Sequence, residues 1–553
     1  MAELSEIAQM YFEKVTDFTT ASGIKVKGFY RPEDVQGIDY DRDIADPGQY
    51  PFTRGHHKDM YRGKLWNIRE ISGLSTPRAF NKRLKFLLEQ GQGALDWEMD
   101  GPTLYGIEPD QPMAAGQVGV VGISLHTLHD VEELCEGLPL DQISLSMASG
   151  PWVQQAYVLG AKRRGYDPKQ LRVVGGHLHY YFPGCLPSIP EYLFLPNGQI
   201  STLCRWANDW LEHVLINFPR WNAWFISAYD YREAGGNAIH EIAFTMACAK
   251  EMIREMLRRG VDINTIGRKL SPVFSCDRDF FEEIAKLRAA RRLWARMMKE
   301  EFGATDSQAM RLRFHIDVAG SNYTRQQPLV NLARGTLGAL AAVLGGCMGI
   351  QLPSYDEAWA TPTEEAVRLA IRTQQVIRYE SGVARVADPL AGSYYVESLT
   401  NELEEKIKSM EEKIEEMGGW IVALQRNWVE KELRKSLLDV QSKNERGERV
   451  VLGVNRFAIP PEEDFKPEIY TPDRSDVEAY LDEYSEFKER RDKKKVKESL
   501  ENLRKIAEDT QDNLTPHVFD AIEANATFGE IIGVLRMVDG LDYDWAGERE
   551  YPF

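Results

Sequence analysis

Side chains able to do chemistry gather in three short stretches of this 553-residue chain. In ALDWEMD, residues 94–100, the alternation of a strand puts Leu95, Trp97 and Met99 on one face and Asp96, Glu98 and Asp100 on the other. Three carboxylates on the inner face of a sheet predict a polar pocket. The competing reading is an edge strand with a solvated acidic face. RFHID, residues 313–317, repeats the pattern, with His315 and Asp317 opposite Phe314 and Ile316. AWFISAYDYREAGG, residues 223–236, runs off a strand into Tyr229, Asp230, Arg232 and Glu233, where parallel-barrel enzymes carry their sites.

Metal and nucleotide motifs are poor. HLH places His177 and His179 on one strand face, and HTLHDVEE places His126, His129 and Glu133 on one helix face. Neither set brings a convincing further ligand, so no metal is expected. GQVGVVG at 116–122 has the wrong spacing for a dinucleotide fingerprint, and GxxxxGK[ST] and GxSxG do not occur.

The elements that must position these groups alternate. QISLSMA, LRVVGG, AWFISAY, RLRFHID and GGCMGIQL read as strands, separated by amphipathic helices such as HEIAFTMACAKEMIREMLRRG. Strand-then-helix repetition over residues 61–395 predicts an α/β fold with a parallel sheet, and a TIM (β/α)8 barrel suits that length; a doubly wound sheet is the alternative. Residues 1–60 predict an N-terminal helix followed by an extended arm rich in Pro, Gly and Asp. Residues 396–553 predict a helical C-terminal region. Within it, NELEEKIKSMEEKIEEMGG takes Thr400 or Asn401 as N-cap and Gly418 as stop, and residues 476–509 read as one long charged helix crossing solvent or another subunit.

Composition narrows the partners. Lys and Arg number 67 against 85 Asp and Glu, a net charge of −18, which repels nucleic acid and anionic membranes. No apolar run approaches the ~20 residues of a membrane span, and the acidic amphipathic start does not read as a signal peptide. The cysteines at 135, 185, 204, 248, 276 and 347 form no CxxC, so a reducing compartment and a cytoplasmic protein are expected.

Several long blocks resemble the large subunit of the adenosylcobalamin-dependent acyl-CoA mutases, the methylmalonyl-CoA mutase family. They include YPFTRGHHKDMYRGKLWNIREISGLSTPRAFN, YREAGGNAIHEIAFTMA, EIAKLRAARRLWARM, YDEAWATPTEEAVRLAIRTQQVIRYESGVARVADPLAGSYYVESLT and GERVVLGVNRF, in the family's order over most of residues 50–553. The resemblance implies a barrel threaded by coenzyme A and a 1,2-rearrangement initiated by hydrogen abstraction with the adenosyl radical. Family members that bind cobalamin within one chain carry D-x-H-x-x-G, whose His ligates cobalt. No histidine here has Asp two residues before it, so the resemblance implies a separate cobalamin-binding small subunit, in a heterodimer or heterotetramer.

Residue by residue, the resemblance assigns the acyl pocket to Ile71, Glu98, Asp100, Tyr229 and Asp230, and the cofactor to Glu233, Asp317, Asn331 and Glu357, with Glu357 on the adenosyl ribose. It assigns coenzyme A to His57, Asp59, Lys64, Asn67, Arg69, Asp96, Lys269 and Ser271. The family's R-Q-Y-A-G-F holds the substrate's free carboxylate with its Tyr, aided by an Arg further along. Here Ile71 replaces that Tyr and residues 173–204 contain no Arg or Lys. Leaving a carboxylate without charge-assisted donors costs several kcal/mol. Methylmalonyl-CoA is therefore not the expected substrate. Mutases of 2-hydroxyisobutyryl-CoA share Ile at this place and an acid on the following strand, where Glu98 falls, so a branched 2-hydroxyacyl-CoA, or isobutyryl-CoA, is expected. Asp230 stands where the family has the His that bonds the thioester oxygen, and serves only if protonated. Gly176 stands near the place of a family Gln. The alternatives are a mutase for an amino-bearing acyl group and a non-catalytic paralogue that binds a cobalamin subunit.

Overall fold

In the computed structural model, residues 18–175, 195 and 198–553 are described. The expected N-terminal helix, Gly176, His177, His179 and Cys185 lie outside them, as does most of the stretch 173–204.

The strand-like runs form strands because their β-branched and aromatic residues alternate with small or polar ones. In chain order these are β1 (Asn67–Ile68), β2 (Ile71–Ser72), β3 (Ala94–Glu98), β4 (Ser144–Ala148), β5 (Arg172–Gly175), β6 (Trp224–Ser227), β7 (Leu270–Cys276), β8 (His315–Val318) and β9 (Gly349–Gln351). All pairings among them are parallel, in two runs, β2-β3-β4-β5 and β1-β9-β8-β7-β6. Only Arg69 and Glu70 separate β1 from β2, and Asn222, two residues before β6, bridges Val174 of β5 in parallel. Helices fill the connections, so the architecture is mixed α/β.

One face of each strand meets these helices. Leu95, Trp97, Leu145, Met147, Val173, Ile226, Phe274, Ile316 and Ile350 belong to a continuous buried core. The opposite face carries a separate small apolar cluster, Val174, Phe225 and Val273 with Tyr229 packed on it.

The extended arm is anchored by the helix Phe280–Arg296. Arg291 donates to the carbonyls of Phe52 and Thr53 at 3.0 and 2.7 Å, Arg292 to that of Asp43 at 3.1 Å, and Arg296 pairs with the Asp43 carboxylate at 2.8 Å. The same helix takes Glu397 and Glu404 of Tyr394–Glu416 through Arg288 and Arg292.

Two expectations for the C-terminal region need correction. The helix Tyr394–Glu416 is capped by Ser393, whose hydroxyl accepts from Val396 N, so Thr400 and Asn401 lie inside it; Thr400 bonds the Val396 carbonyl at 2.7 Å. Residues 476–509 form two helices, Arg474–Arg490 and Lys493–Asp509, because Asp492 caps the second while Arg491 turns inward to Glu530. The first is not purely solvated, since Tyr480 and Tyr484 are buried. No helix among the described residues is long and apolar enough to cross a membrane.

Candidate active site

Register decides which side chains face away from the helices. Ile71 pairs with Asp96, Asp96 with Ser146, and Ser146 with Val174. On the other run Phe225 pairs with Ser271, Val273 with His315, Ser275 with Asp317, and Asp317 with Gln351. Side chains alternate, so Ile71, Asp96, Glu98, Ser146, Ser271, His315 and Asp317 share the inner face with the Val174, Phe225 and Val273 cluster. Serines and acids take most of the places on this face that branched apolar residues could fill. Gly349 is part of the same economy of space, since a Cβ there would stand 2.4 Å from His315 Nδ1.

Charge on this face is concentrated. Arg69 and Asp96 form an ion pair, each 2% exposed, and Arg69 reaches Ser146 Oγ at 3.4 Å. The Nε and Nη1 of Arg69 and Oδ1 of Asp317 are buried without a partner, which marks places a bound ligand would satisfy. Burial pushes the Glu98 carboxyl well above the usual range, and Asp96, Asp230 and Asp317 push in the same direction. Burial raises Asp317 to about 7, with Asp96, Asp230 and Glu233 adding to the shift and Arg69 opposing it. His315 is driven down to about 3 by burial, with Arg69 and Lys64 adding to it, so it stays neutral. Around neutral pH the site therefore holds carboxyl groups that retain protons and can donate hydrogen bonds.

Tyr229, Asp230 and Glu233 stand beyond the end of β6 on one short helical turn, Tyr229–Glu233. Glu233 accepts from Ser321 N at 2.9 Å and Ser321 Oγ at 3.2 Å, and burial raises it to about 7 despite these bonds. Tyr229, Glu233 and Glu357 converge on Gly320, where a Cβ would lie 3.1 Å from the Tyr229 hydroxyl and 3.7 Å from an oxygen of each carboxylate. Glu357 is open to solvent on one side and enclosed by protein on the others, an enclosure that lifts it to about 7, helped by Asp356 and Glu233.

At the other end of the strands the charge is positive. Burial lowers the His57 imidazole, and Arg311, Arg313 and Lys64 lower it further, which brings these four together. Arg313 carries Nε and Nη2 buried without a partner. The His57 ring lies 4.5 Å from that of His56, tilted by 59°, and both His57 and Asp59, which precedes a 3-10 turn, are exposed. Arg311 and Arg313 escaped the sequence reading, although RLR directly before FHID was the available signal.

The structure shows four of the singled-out residues in other contacts. Asp100 lies past β3 and caps Gly101–Tyr105, its oxygens accepting from Thr103 N and Gly119 N at 2.9 and 2.8 Å. It is fully buried, and does not continue the row of Asp96 and Glu98. Asn331 spends both amide hydrogens on the carbonyls of Thr324 and Tyr355, while its oxygen accepts from Thr324 N and Arg334. It ties loops together, with both ends of its amide engaged within the protein. Lys269 donates to the carbonyls of Val214, Leu215 and Phe218 at 3.2, 2.7 and 2.9 Å, closing the end of Thr202–Asn217 rather than meeting a phosphate. His126 precedes its helix, which Thr127 caps, and its Nε2 lies 2.9 Å from Ser124 Oγ, so it shares no face with His129 and Glu133. No group of three or more metal-ligating side chains occurs among the described residues.

The family model described as methylmalonyl-CoA mutase matches residues 19–541. The chain belongs to this family. It is 38% identical over 545 residues to the 2-hydroxyisobutanoyl-CoA mutase large subunit of Aquincola tertiaricarbonis, covering 98% of this chain and 94% of that one. It is 34% identical over 528 residues to the methylmalonyl-CoA mutase of Rhizobium meliloti, covering 95% of this chain and 72% of that one, and 31% identical to the human mitochondrial methylmalonyl-CoA mutase, of which 68% is covered. The family's members are cobalamin-dependent acyl-CoA mutases, so this mutase is an isomerase.

Proposed function

We propose that this chain is the catalytic large subunit of an adenosylcobalamin-dependent mutase acting on a short, branched 2-hydroxyacyl-CoA. The observation that carries the substrate reading is the pairing of Ile71 with the strand bearing Asp96 and Glu98, an apolar wall beside acids, with Arg69 already paired to Asp96.

The nine strands are read as a closed barrel of eight, with β1 and β2 the two halves of one strand. In support, β1 pairs with β9 and β2 with β3, while Asn222 links β5 to β6. Coenzyme A then enters at the basic end past His57, Lys64, Arg311 and Arg313, and its arm runs along Asn67, Arg69 and Ser271 toward Ile71. Arg69, with two partnerless nitrogens, is placed to donate to the acyl or pantetheine oxygens. Glu98, held protonated, both accepts from and donates to the substrate hydroxyl. Asp317 or Asp230 supplies the hydrogen bond to the thioester oxygen that a His gives elsewhere in the family.

The acceptors at the other end fit the cofactor. Glu233 and Glu357 converge on Gly320 with Tyr229 beside them, an arrangement of acceptors suited to ribose hydroxyls. When bound, adenosylcobalamin supplies the radical that takes a hydrogen atom from the substrate and returns one after the 1,2-shift. The cobalt-ligating histidine is assigned to a separate small subunit. This chain's residues orient the thioester, keep the hydroxyl on Glu98 and screen the intermediate from water.

A second reading, an amino-bearing acyl group, is favoured by the number of acids near Ile71. The Glu98→Gln variant of the reconstituted enzyme separates the two. A hydroxyl substrate retains a hydrogen bond to Gln and loses about tenfold in kcat/KM, while an ammonium loses its counter-charge and about a thousandfold. Turnover of neither substrate by the wild-type two-subunit enzyme would remove both readings.

A further inference from the structure

The five residues Tyr229–Glu233 form a single helical turn, too short to hold its own shape. Three of them, Tyr229, Asp230 and Glu233, serve the cavity, so the fixity of the turn must come from the other two. Tyr231 is buried against Phe244 and Trp420, with ring centroids at 5.4 and 6.0 Å. Arg232 turns into a buried ionic network. Its Nη2 donates to Asp277 Oδ2 at 3.0 Å and Glu283 Oε1 at 2.8 Å, and its Nε stands 3.7 Å from Glu241 Oε2.

That network is itself rigidly built. Lys286 bonds Glu241 at 2.7 Å and the Ser275 carbonyl at 2.7 Å and pairs with Glu283, while Ser275 N donates to the other Glu241 oxygen at 2.6 Å. Glu241 and Glu283 lie in the first turns of Ala238–Arg258 and Phe280–Arg296, and Ser275 is on β7. Arg232 thus joins the turn after β6 to the end of β7 and to two helices through groups with fixed positions. Its planar fork, with hydrogen bonds in set directions, suits this better than a flexible ammonium.

We propose that Arg232 is a positioning residue of the reaction, clamped by Asp277 and Glu283 so that Tyr229, Asp230 and Glu233 keep their alignment toward the cavity. It touches neither substrate nor cofactor. The proposal rests on the mutase reading of that cavity and adds a residue to the turn that carries Tyr229, Asp230 and Glu233.

The test uses the holoenzyme reconstituted from large subunit, cobalamin-binding subunit and adenosylcobalamin, with R232M, R232K and R232M/E283Q. Expected for R232M is a fall in kcat of about a hundredfold and a matching loss of the cob(II)alamin signal at saturating substrate, with KM within about threefold. R232K keeps the charge without the fork and recovers about tenfold of the loss. In R232M/E283Q one uncompensated carboxylate is gone, so the melting temperature recovers while kcat stays low. Recovery of kcat with the melting temperature would overturn the proposal, since the role would then be structural only. If R232M fails to fold, R232K carries the test and must itself show about a tenfold loss in kcat. Hydrogen exchange in the large subunit alone keeps this test apart from the substrate reading. Amides of 229–236 should exchange about tenfold faster in R232K while those of 238–258 do not, and unchanged exchange would overturn the positioning role whatever the substrate proves to be.

Discussion

Ile71 of β2 and Asp96 of β3 are direct partners across a parallel ladder, so the apolar side chain of Ile71 stands next to the strand whose following inner residue is Glu98. This relationship turns one apolar residue into a statement about substrate: the wall that a carboxylate-bearing acyl group would need to be polar is aliphatic, and the residue beside it is an acid.

Arg69 and Asp96 supply the first prediction. Both are buried and paired, and removing one partner strands the other charge. Arg69→Met is expected to cost about 3–5 kcal/mol in urea unfolding of the large subunit, and Asp96→Asn a similar amount. A loss under about 1 kcal/mol for either would show that the pair is not closed in solution.

The second concerns pH. Asp317 titrates near 7 when folded against an ordinary 3.8. Between these values the folded state holds a proton that the unfolded state has released, so this group's contribution to stability falls as pH rises through the window and stays low above it. Asp317→Asn removes the titration. Its stability relative to wild type should change little below pH 4 and rise progressively to a gain of about 2–4 kcal/mol above pH 7. Chemical denaturation at a series of pH values measures the difference, and a flat difference would contradict it.

The third separates the two lysine and arginine roles. Lys269→Met should lower stability by about 2 kcal/mol through loss of three carbonyl contacts at a helix end, with KM for the acyl-CoA unchanged. Arg313→Ala should do the reverse, raising KM about tenfold with little change in melting temperature. Steady-state kinetics beside thermal melts distinguishes them.

What the sequence made legible follows from the range of the forces involved. Alternation in ALDWEMD, AWFIS and RFHID is a local signal, and it located β3, β6 and β8 and the inner placement of Glu98 and Asp317. YDYREAGG was legible as a candidate site because it follows a strand. Asp100, Asn331 and Lys269 were read differently from what the structure shows because their partners come from elsewhere: Gly119, Tyr355 and the 214–218 carbonyls are not predictable from the residues beside them. The break at Arg491 and Asp492 was hidden because the charge pattern is the same on both sides, and only the buried partner Glu530 distinguishes it. Arg311 and Arg313 were visible as RLR but had no neighbour in sequence to give them a purpose; His57 and Lys64 reach them only through the fold.

The most direct test of the substrate assignment is the ratio of kcat/KM for 2-hydroxyisobutyryl-CoA to that for methylmalonyl-CoA, measured on the large subunit reconstituted with its cobalamin-binding partner and adenosylcobalamin. With Ile71 and Glu98 in place, the expected ratio is at least about a thousandfold, since Ile71 offers a carboxylate no hydrogen bond and the row of acids beside it opposes a further negative charge. Comparable efficiency on the two substrates would contradict it.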